Sequence, residues 1–327
     1  MSALFVRLLL VLALLAVSFA AGAQQLERRA RVGFLAPGTP AYLDGSVQIF
    51  RLRLRELGWI EGRNLMLDVR YANDNYERLP GLAAELVALK PDVIAAGASS
   101  ATLAAGRATS TIPIVFETIG DAVAQGLVSN LARPERNLTG LSGFSPELAA
   151  KRLALIRQIV PDASRIGLVA NLDNVGTRSV VQSMETAAQH LGVALELFGV
   201  RAPDQLEPAF KEMARRRAGA FLLAADPMLF AQNQRIVEMA ARYRLPGAYE
   251  LRLFADRGGL LSYGPRGNER FEQMAVYVDR ILRGAKPADL PVEQPIKFEL
   301  VINLRTVQQL GLTIPQSLLL QADEVIK

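Results

Sequence analysis

The residues best placed to do chemistry lie between Pro91 and Gly106, in PDVIAAGASSATLAAG. Val93, Ile94, Ala95 and Ala96 form a short apolar run suited to a strand buried on both faces. Gly97, Ala98, Ser99 and Ser100 then turn the chain into alanine-rich sequence of helical character from Ala101 onward. Ser100 is placed to cap that helix, its hydroxyl accepting from a first-turn N–H. The first N–H groups of a helix lack intrahelical partners and sit at the positive end of its dipole. A strand, a small-residue loop and a capped helix can therefore hold a carboxylate or another polar group. An ordinary βα turn has the same pattern, so the rest of the chain has to decide between them.

Residue types remove several other chemistries. The 327 residues include no cysteine, which excludes disulfides, thiolate metal sites, a cysteine nucleophile and lipid attachment through cysteine. The single histidine, His190, stands at a helix end before Leu191-Gly192, a position that suits the surface. One histidine without cysteine cannot assemble the common zinc sets, so no metal is expected. Gly140-Leu141-Ser142-Gly143 misses the Gly-x-Ser-x-Gly elbow, and there is no Gly-x-Gly-x-x-Gly or phosphate-loop lysine. No catalytic residue and no cofactor are expected; a carboxylate-based enzyme is the enzymatic alternative left standing. Net charge is +5, but the basic residues are scattered apart from Arg215-Arg216-Arg217, which complements a helix C-terminus. With no basic stripe interleaved with aromatics, no nucleic-acid partner is expected.

The elements that must position these groups alternate between strand and helix. Arg31 to Ala36 reads as a strand, Pro37 to Asp44 as a loop, and Gly45 to Leu57 as an amphipathic helix ended by Gly58. Asn64 to Tyr71 is a strand and Pro80 to Lys90 a helix. Ile112 to Phe116 is a strand, with Glu117 at its C-terminal end and Asp121 placed to cap a helix from Ala122 to Leu131. The pattern then repeats. RIGLVA from Arg165 echoes RVGFLA from Arg31, and each arginine lies 26 residues before a Leu-Gly pair. Ala220 to Ala225 stands where Val93 to Ala96 stood, with Asp226-Pro227 in place of the serines. Glu250 follows Pro246 by four residues, as Glu117 follows Pro113. Matched order, spacing and punctuation predict an α/β chain of two similar doubly wound lobes. The first lobe covers 24–142 and the second begins near Gly143, joined by a Gly- and Ser-containing linker over Thr139 to Ser145. Further strands at Gly259 to Tyr263 and Phe298 to Asn303, with a helix over Glu269 to Leu282, make the junction a multi-stranded hinge. At the N-terminus, Arg7, the apolar run Leu8 to Val17 and Ala21-Gly22-Ala23 read as a secretory signal peptide over residues 1–23, cleaved before Gln24.

Five stretches taken together resemble the solute-binding proteins of ATP-driven (ABC) importers, with the type I periplasmic-binding fold. They are RVGFLAPGTP, LRELGWIEGRN, LPGLAAELVALKPDVIAAGASSAT, IPIVFETIGDAVAQGLVSNLARPERNLTGLSGF and PADLPVEQPIKFELVINLRTVQQLGLTIP. The resemblance spans the mature chain and is strongest to the branch of tryptophan and tyrosine importers, although Glu117-Thr118 stands where small residues are usual. It implies a solute held between lobes that close like jaws. It also assigns 263–290 to the first lobe and 291–327 to the second. The implied partners are a small solute and a membrane permease with its ATPase; the implied protein is a monomer free in the periplasm. A periplasmic sensor docking on a membrane receptor is the other reading, since no DNA-binding helix pair is present.

Ligands of open α/β sheets sit at the carboxyl ends of the strands. In the first lobe that rule selects Tyr42, Ser99, Ser100, Ala101, Glu117 and Asp121; in the second, Asn171, Asp173, Asp226, Tyr249, Glu250 and Tyr263. For an amino-acid-like solute, aromatic or otherwise, Ser99, Ser100 and the N–H groups after them would hold the carboxylate. Glu117, Asp226 or Glu250 would take the ammonium, and Tyr42, Tyr249 or Tyr263 would cover the apolar part.

Overall fold

Two successive runs of buried β-branched, leucine and alanine residues, each interleaved with amphipathic helices, build two sheets in the computed structural model. It describes residues 29–327 apart from 119, 135, 144, 267 and 268, so the expected signal peptide lies outside the described residues. The first sheet has the order β2-β1-β3-β4-β5, all parallel. Its strands are β1 (Ala30–Ala36), β2 (Leu65–Tyr71), β3 (Val93–Gly97), β4 (Ile114–Glu117) and β5 (Leu138–Leu141). Helices α1 (Pro40–Glu56), α2 (Leu79–Ala88) and α3 (Ala98–Ala108) pack on its two faces.

The second sheet repeats that order. Its strands are β6 (Arg165–Asn171), β7 (Ala194–Val200), β8 (Ala220–Leu223), β9 (Gly247–Tyr249) and β10 (Leu261–Pro265), arranged β7-β6-β8-β9-β10 and all parallel. The repeat read from spacing is therefore a repeat of topology. Helices α4 (Ser145–Ile159), α5 (Thr177–Leu191), α6 (Leu206–Arg215), α7 (Pro227–Ala231), α8 (Asn233–Arg242) and α9 (Arg252–Asp256) cover this sheet. Each lobe has one apolar cluster on either face of its sheet, the layering a doubly wound domain requires.

Helix α10 (Glu269–Leu282) returns to the first lobe, where Met274, Val278 and Ile281 pack beside Phe50 and Leu54 of α1. The indole N–H of Trp59 donates to Asp279 at 2.8 Å, tying α10 to the end of α1. Beyond α10 the chain crosses back to β11 (Phe298–Asn303), which runs antiparallel to β10, then α11 (Leu304–Leu310), α12 (Gln316–Leu319) and β12 (Glu324–Ile326). The chain thus passes between the lobes three times, after β5, after β10 and before β11.

Several local expectations shift. The stretch taken as a linker contains β5, the edge strand of the first sheet, because Gly140 lets the backbone come within bonding range of β4. Tyr263 belongs to the second sheet, paired with Leu300 of β11, so the crossing to the first lobe follows Pro265. Glu293 still bonds the edge of β5, so the return crossing follows it. Helix α1 starts at Pro40, since proline fits its first turn without needing its missing N–H. Asp121 caps a turn, accepting from the N–H groups of Val123 and Ala124, and no helix follows over 122–131. No helix of the described residues is long and apolar enough to cross a membrane.

Gly140 has φ +147°, and a Cβ there would overlap the backbone of Phe116. The substitution Gly140→Ala is expected to lower the unfolding free energy by about 2–3 kcal/mol, read from urea denaturation midpoints at unchanged slope.

Candidate functional site

The carboxyl ends of β1, β3 and β4 open onto a cavity of about 80 Å³ between the lobes. Water needs roughly 10–15 Å³ measured in the same way, so this space exceeds a few solvent molecules. Phe34, Tyr42 and Phe271 line it from the first lobe, and Phe230 and Leu251 close it from the second. The polar lining is concentrated in Glu117 and Arg270. Ala98, at the mouth of the turn between β3 and α3, has φ +60°. That is a left-handed conformation costly for a residue with a Cβ, and here it lies at the cavity wall.

Glu117 is the last residue of β4, and Arg270 is in the first turn of α10. Their side chains meet at 2.6 Å, with 5% and 17% left exposed. Burial opposes the charge on Arg270, but the Glu117 and Glu250 carboxylates and the Tyr42 phenol outweigh it, so its pKa stands above the ordinary value. A second pair lies deeper. Arg152 of α4 is fully buried, its Nη2 3.3 Å from the Glu250 Oε2 and its Nη1 donating to the Tyr263 carbonyl at 3.0 Å. Burial lowers the Arg152 pKa and the Glu250 carboxylate works against that. The two arginines and two glutamates alternate in sign from one lobe to the other. Burial also raises the Tyr42 phenol, so it remains a neutral hydroxyl.

Asp226 is the other buried acid. Its Oδ1 accepts from the Leu229 N–H at 3.0 Å, capping α7. Its Oδ2 accepts from Asn174 at 2.9 Å, and Asn171 lies 3.2–3.3 Å from both oxygens. A further donor comes from the other lobe: the Tyr76 hydroxyl, from the turn before α2, reaches Oδ2 at 2.8 Å. Burial raises the Asp226 pKa against these four donors, which favour the carboxylate.

The sequence model of the family described as ABC transporter substrate binding protein matches residues 40–326. The chain belongs to this family of ABC transporter substrate-binding proteins. A curated relative, the Tyrosine-binding protein of Clostridioides difficile (strain R20291), is 23% identical over 270 residues, covering 83% of this chain and 77% of that protein. Among solved structures, a conserved domain protein of Vibrio cholerae is 28% identical with a TM-score of 0.84, over 91% of this chain and 99% of its own. An ABC domain of Streptococcus pneumoniae in complex with L-Trp is 24% identical with a TM-score of 0.83, over 91% of this chain and all of its own (100%). The architecture is the type I periplasmic-binding fold. As an ABC substrate-binding protein, the chain is the extracytoplasmic component that captures a small molecule for an importer.

Within this substrate-binding protein, Tyr42 and Glu117 line the cavity, and Glu250 lies close enough to act on Arg270. Asp226 and Asn171 meet in the network that Tyr76 joins. The serine turn differs from expectation: α3 begins at Ala98 with Gly97 as its cap residue, so Ser100 is already helical and caps nothing. Its buried Oγ finds no protein partner and lies on a neighbouring groove shared with Tyr76 and Asp173. The Ser99 hydroxyl is taken by Thr118 at 2.6 Å. Ala101 is buried in the first lobe's core, and Asp121 is in its surface turn. Asp173 pairs with Arg201 at the rim. Tyr249 points back along its strand into the second lobe's core, stacked on Phe254 with ring centres 4.6 Å apart. Tyr263 contributes its carbonyl to Arg152 while its ring faces Phe298 at 6.3 Å. Among the described residues no group of three or more histidines or acids could hold a metal.

Arg270, Arg152 and Tyr76 carry much of this site and were not selected from sequence. In sequence each looks like part of an amphipathic or capping pattern, and only the lobe crossing brings Arg270 to the tip of β4.

Asp74, beside Tyr76, is half-buried, and burial together with the Asp226 charge raises its carboxyl to about 6. An acid with a raised folded-state pKa takes up protons on folding, so stability falls as pH rises from about 4 to 6. Relative to Asp74→Asn, the wild-type protein is expected to lose stability across that window, as measured by denaturant unfolding at stepped pH. Parallel pH profiles for the two proteins contradict the assignment.

Proposed function

We propose that this protein captures an L-amino acid with an apolar, aromatic side chain between its lobes and delivers it to a membrane permease. The observation that carries the reading is the Glu117–Arg270 pair set in a wall of Phe34, Tyr42, Phe230 and Phe271. An α-amino acid is a zwitterion. Its carboxylate matches the guanidinium fork of Arg270, and its ammonium matches the Glu117 carboxylate. The side chain then covers the aromatic surface. The tyrosine-binding relative and the L-Trp complex of a structural neighbour support the solute class. On this reading the Ser99 side chain is a support for Thr118 rather than a carboxylate ligand.

The role is capture without chemical change, by a monomer exported to the periplasm and released from residues 1–23. Ligand entry replaces the Glu117–Arg270 contact with two contacts of the same sign pattern, so each buried charge keeps a partner. This matters because a buried ion left alone is far costlier than a buried pair. Tyr76 and Asp226, on opposite lobes, hold the closed jaws beside the bound solute.

A thermal-shift screen of the amino acids, followed by isothermal calorimetry on the hits, tests this directly. L-tryptophan or L-tyrosine is expected to raise the melting temperature by mass action. The variant Arg270→Met paired with Glu117→Gln keeps the site neutral and is expected to weaken binding about 100-fold, for the loss of two charge-assisted bonds. Unchanged affinity in that double variant, or a screen in which only sugars or inorganic ions bind, rejects the assignment.

A further inference from the structure

Helix α1 borders the interlobe cavity with one row of side chains. Tyr42 and Ser46, four residues apart, stand on the same face of the helix and both line the space. Phe50, the next residue of that row, is buried in the core against Phe34, with ring centres 5.3 Å apart, so the space ends at the level of Ser46. Together β1 and α1 give the cavity Phe34, Ala36, Leu43 and Val47, all apolar, and two hydroxyls, those of Tyr42 and Ser46. Phe271 of α10 adds a further apolar wall.

The two hydroxyls sit in different surroundings. Tyr42 lies among charges: Arg270, Glu117, Asp226 and Glu250 all act on its phenol. Ser46 lies about 6 Å further along α1, four residues at 1.5 Å each. A serine or threonine inside a helix commonly turns its hydroxyl back to a carbonyl three or four residues earlier. Thr102, Ser179 and Thr186 do so in this protein. Ser46 makes no such bond. It is half-buried, its Oγ keeps accessible surface, and among the described residues it has no protein partner. One free hydroxyl therefore stands at the apolar end of the cavity.

We propose, on the reading of the cleft as an aromatic amino-acid site, that Ser46 determines which ring the cleft accepts. Its Oγ accepts from the indole N–H of L-tryptophan or the phenol O–H of L-tyrosine. A ligand whose charged end lies at the level of Tyr42 carries those polar atoms about one helical turn deeper, where Ser46 stands. L-phenylalanine fits the same walls but leaves the serine hydroxyl unpaired in a closed site. A site that pairs a polar group of its ligand discriminates against the analogue that lacks it.

Isothermal calorimetry of the mature protein and of Ser46→Ala, with L-tyrosine, L-tryptophan and L-phenylalanine, tests this. Alanine is the better helix former, so the variant keeps α1. The wild-type protein is expected to bind L-tyrosine about tenfold more tightly than L-phenylalanine, and Ser46→Ala to reduce that ratio about tenfold. The ratio of L-tryptophan to L-phenylalanine affinity falls in the same direction. Three results overturn the proposal while leaving the reading of the cleft intact: a wild-type protein with no preference for L-tyrosine over L-phenylalanine, ratios that Ser46→Ala leaves unchanged, or a loss of affinity shared equally by the three ligands. A wild-type protein that binds none of the three overturns both.

Discussion

A charge removed from water has to be paired, and in this protein that requirement is concentrated where the two lobes meet. Glu117, Glu250 and Asp226 are all buried, lie at or just beyond the carboxyl ends of parallel strands, and all act on the Tyr42 phenol. The continuum cost of leaving any of them alone in a dry interior is several kcal/mol. Arg270, Arg152 and a ring of amide and hydroxyl donors supply the partners. The arrangement is balanced only while both lobes contribute. Tyr76 reaches Asp226 from the opposite sheet, and Glu250 of the second lobe acts on Arg270 of the first. A cleft of this kind favours a solute that carries its own matched charges, because such a solute can enter without stranding a protein charge.

The route of the chain makes this balance possible. Helix α10 follows the last parallel strand of the second sheet and then packs on the first, which brings an arginine to the tip of β4. Three crossings of the chain join the lobes, the multiple connection that a hinge between two lobes uses. Asp226 serves two roles from one position: it caps α7, whose Phe230 closes the cavity, and it receives the Tyr76 hydroxyl. Helix position and lobe contact are thereby coupled through a single carboxylate.

Much of this was legible before any coordinates. The Leu-Gly helix stops, the Pro-to-Glu spacing and the paired RVGFLA and RIGLVA strands fixed two copies of one topology, because they are backbone punctuation and buried-strand composition. Strand-end reasoning also placed Glu117, Asp226 and Glu250 at or just beyond strand ends, as the structure has them, since topology sets those positions whatever their side chains do. It failed where a side chain's direction or a long-range crossing decided the outcome. Tyr249 ends its strand but turns back along it. Gly97 and Ala98 tighten the turn so that α3 starts early and Ser100 loses the capping role. Leu138–Leu141 has one β-branched residue, contains Gly140 and runs into Ser142-Gly143, so an edge strand read as a linker. Arg270 sits among the charges of an ordinary amphipathic helix, and nothing local distinguishes it from its neighbours.

The central claim is that the Glu117–Arg270 pair of the first lobe recognises the charged end of an aromatic amino acid. A crystal structure of the protein grown with L-tryptophan tests it most directly. The account predicts the ligand carboxylate within hydrogen-bonding distance of the Arg270 guanidinium, its ammonium on Glu117 and its indole against Phe230. A ligand seated in the crevice with its carboxylate on the serine turn, and with Arg270 still bound only to Glu117, would contradict it.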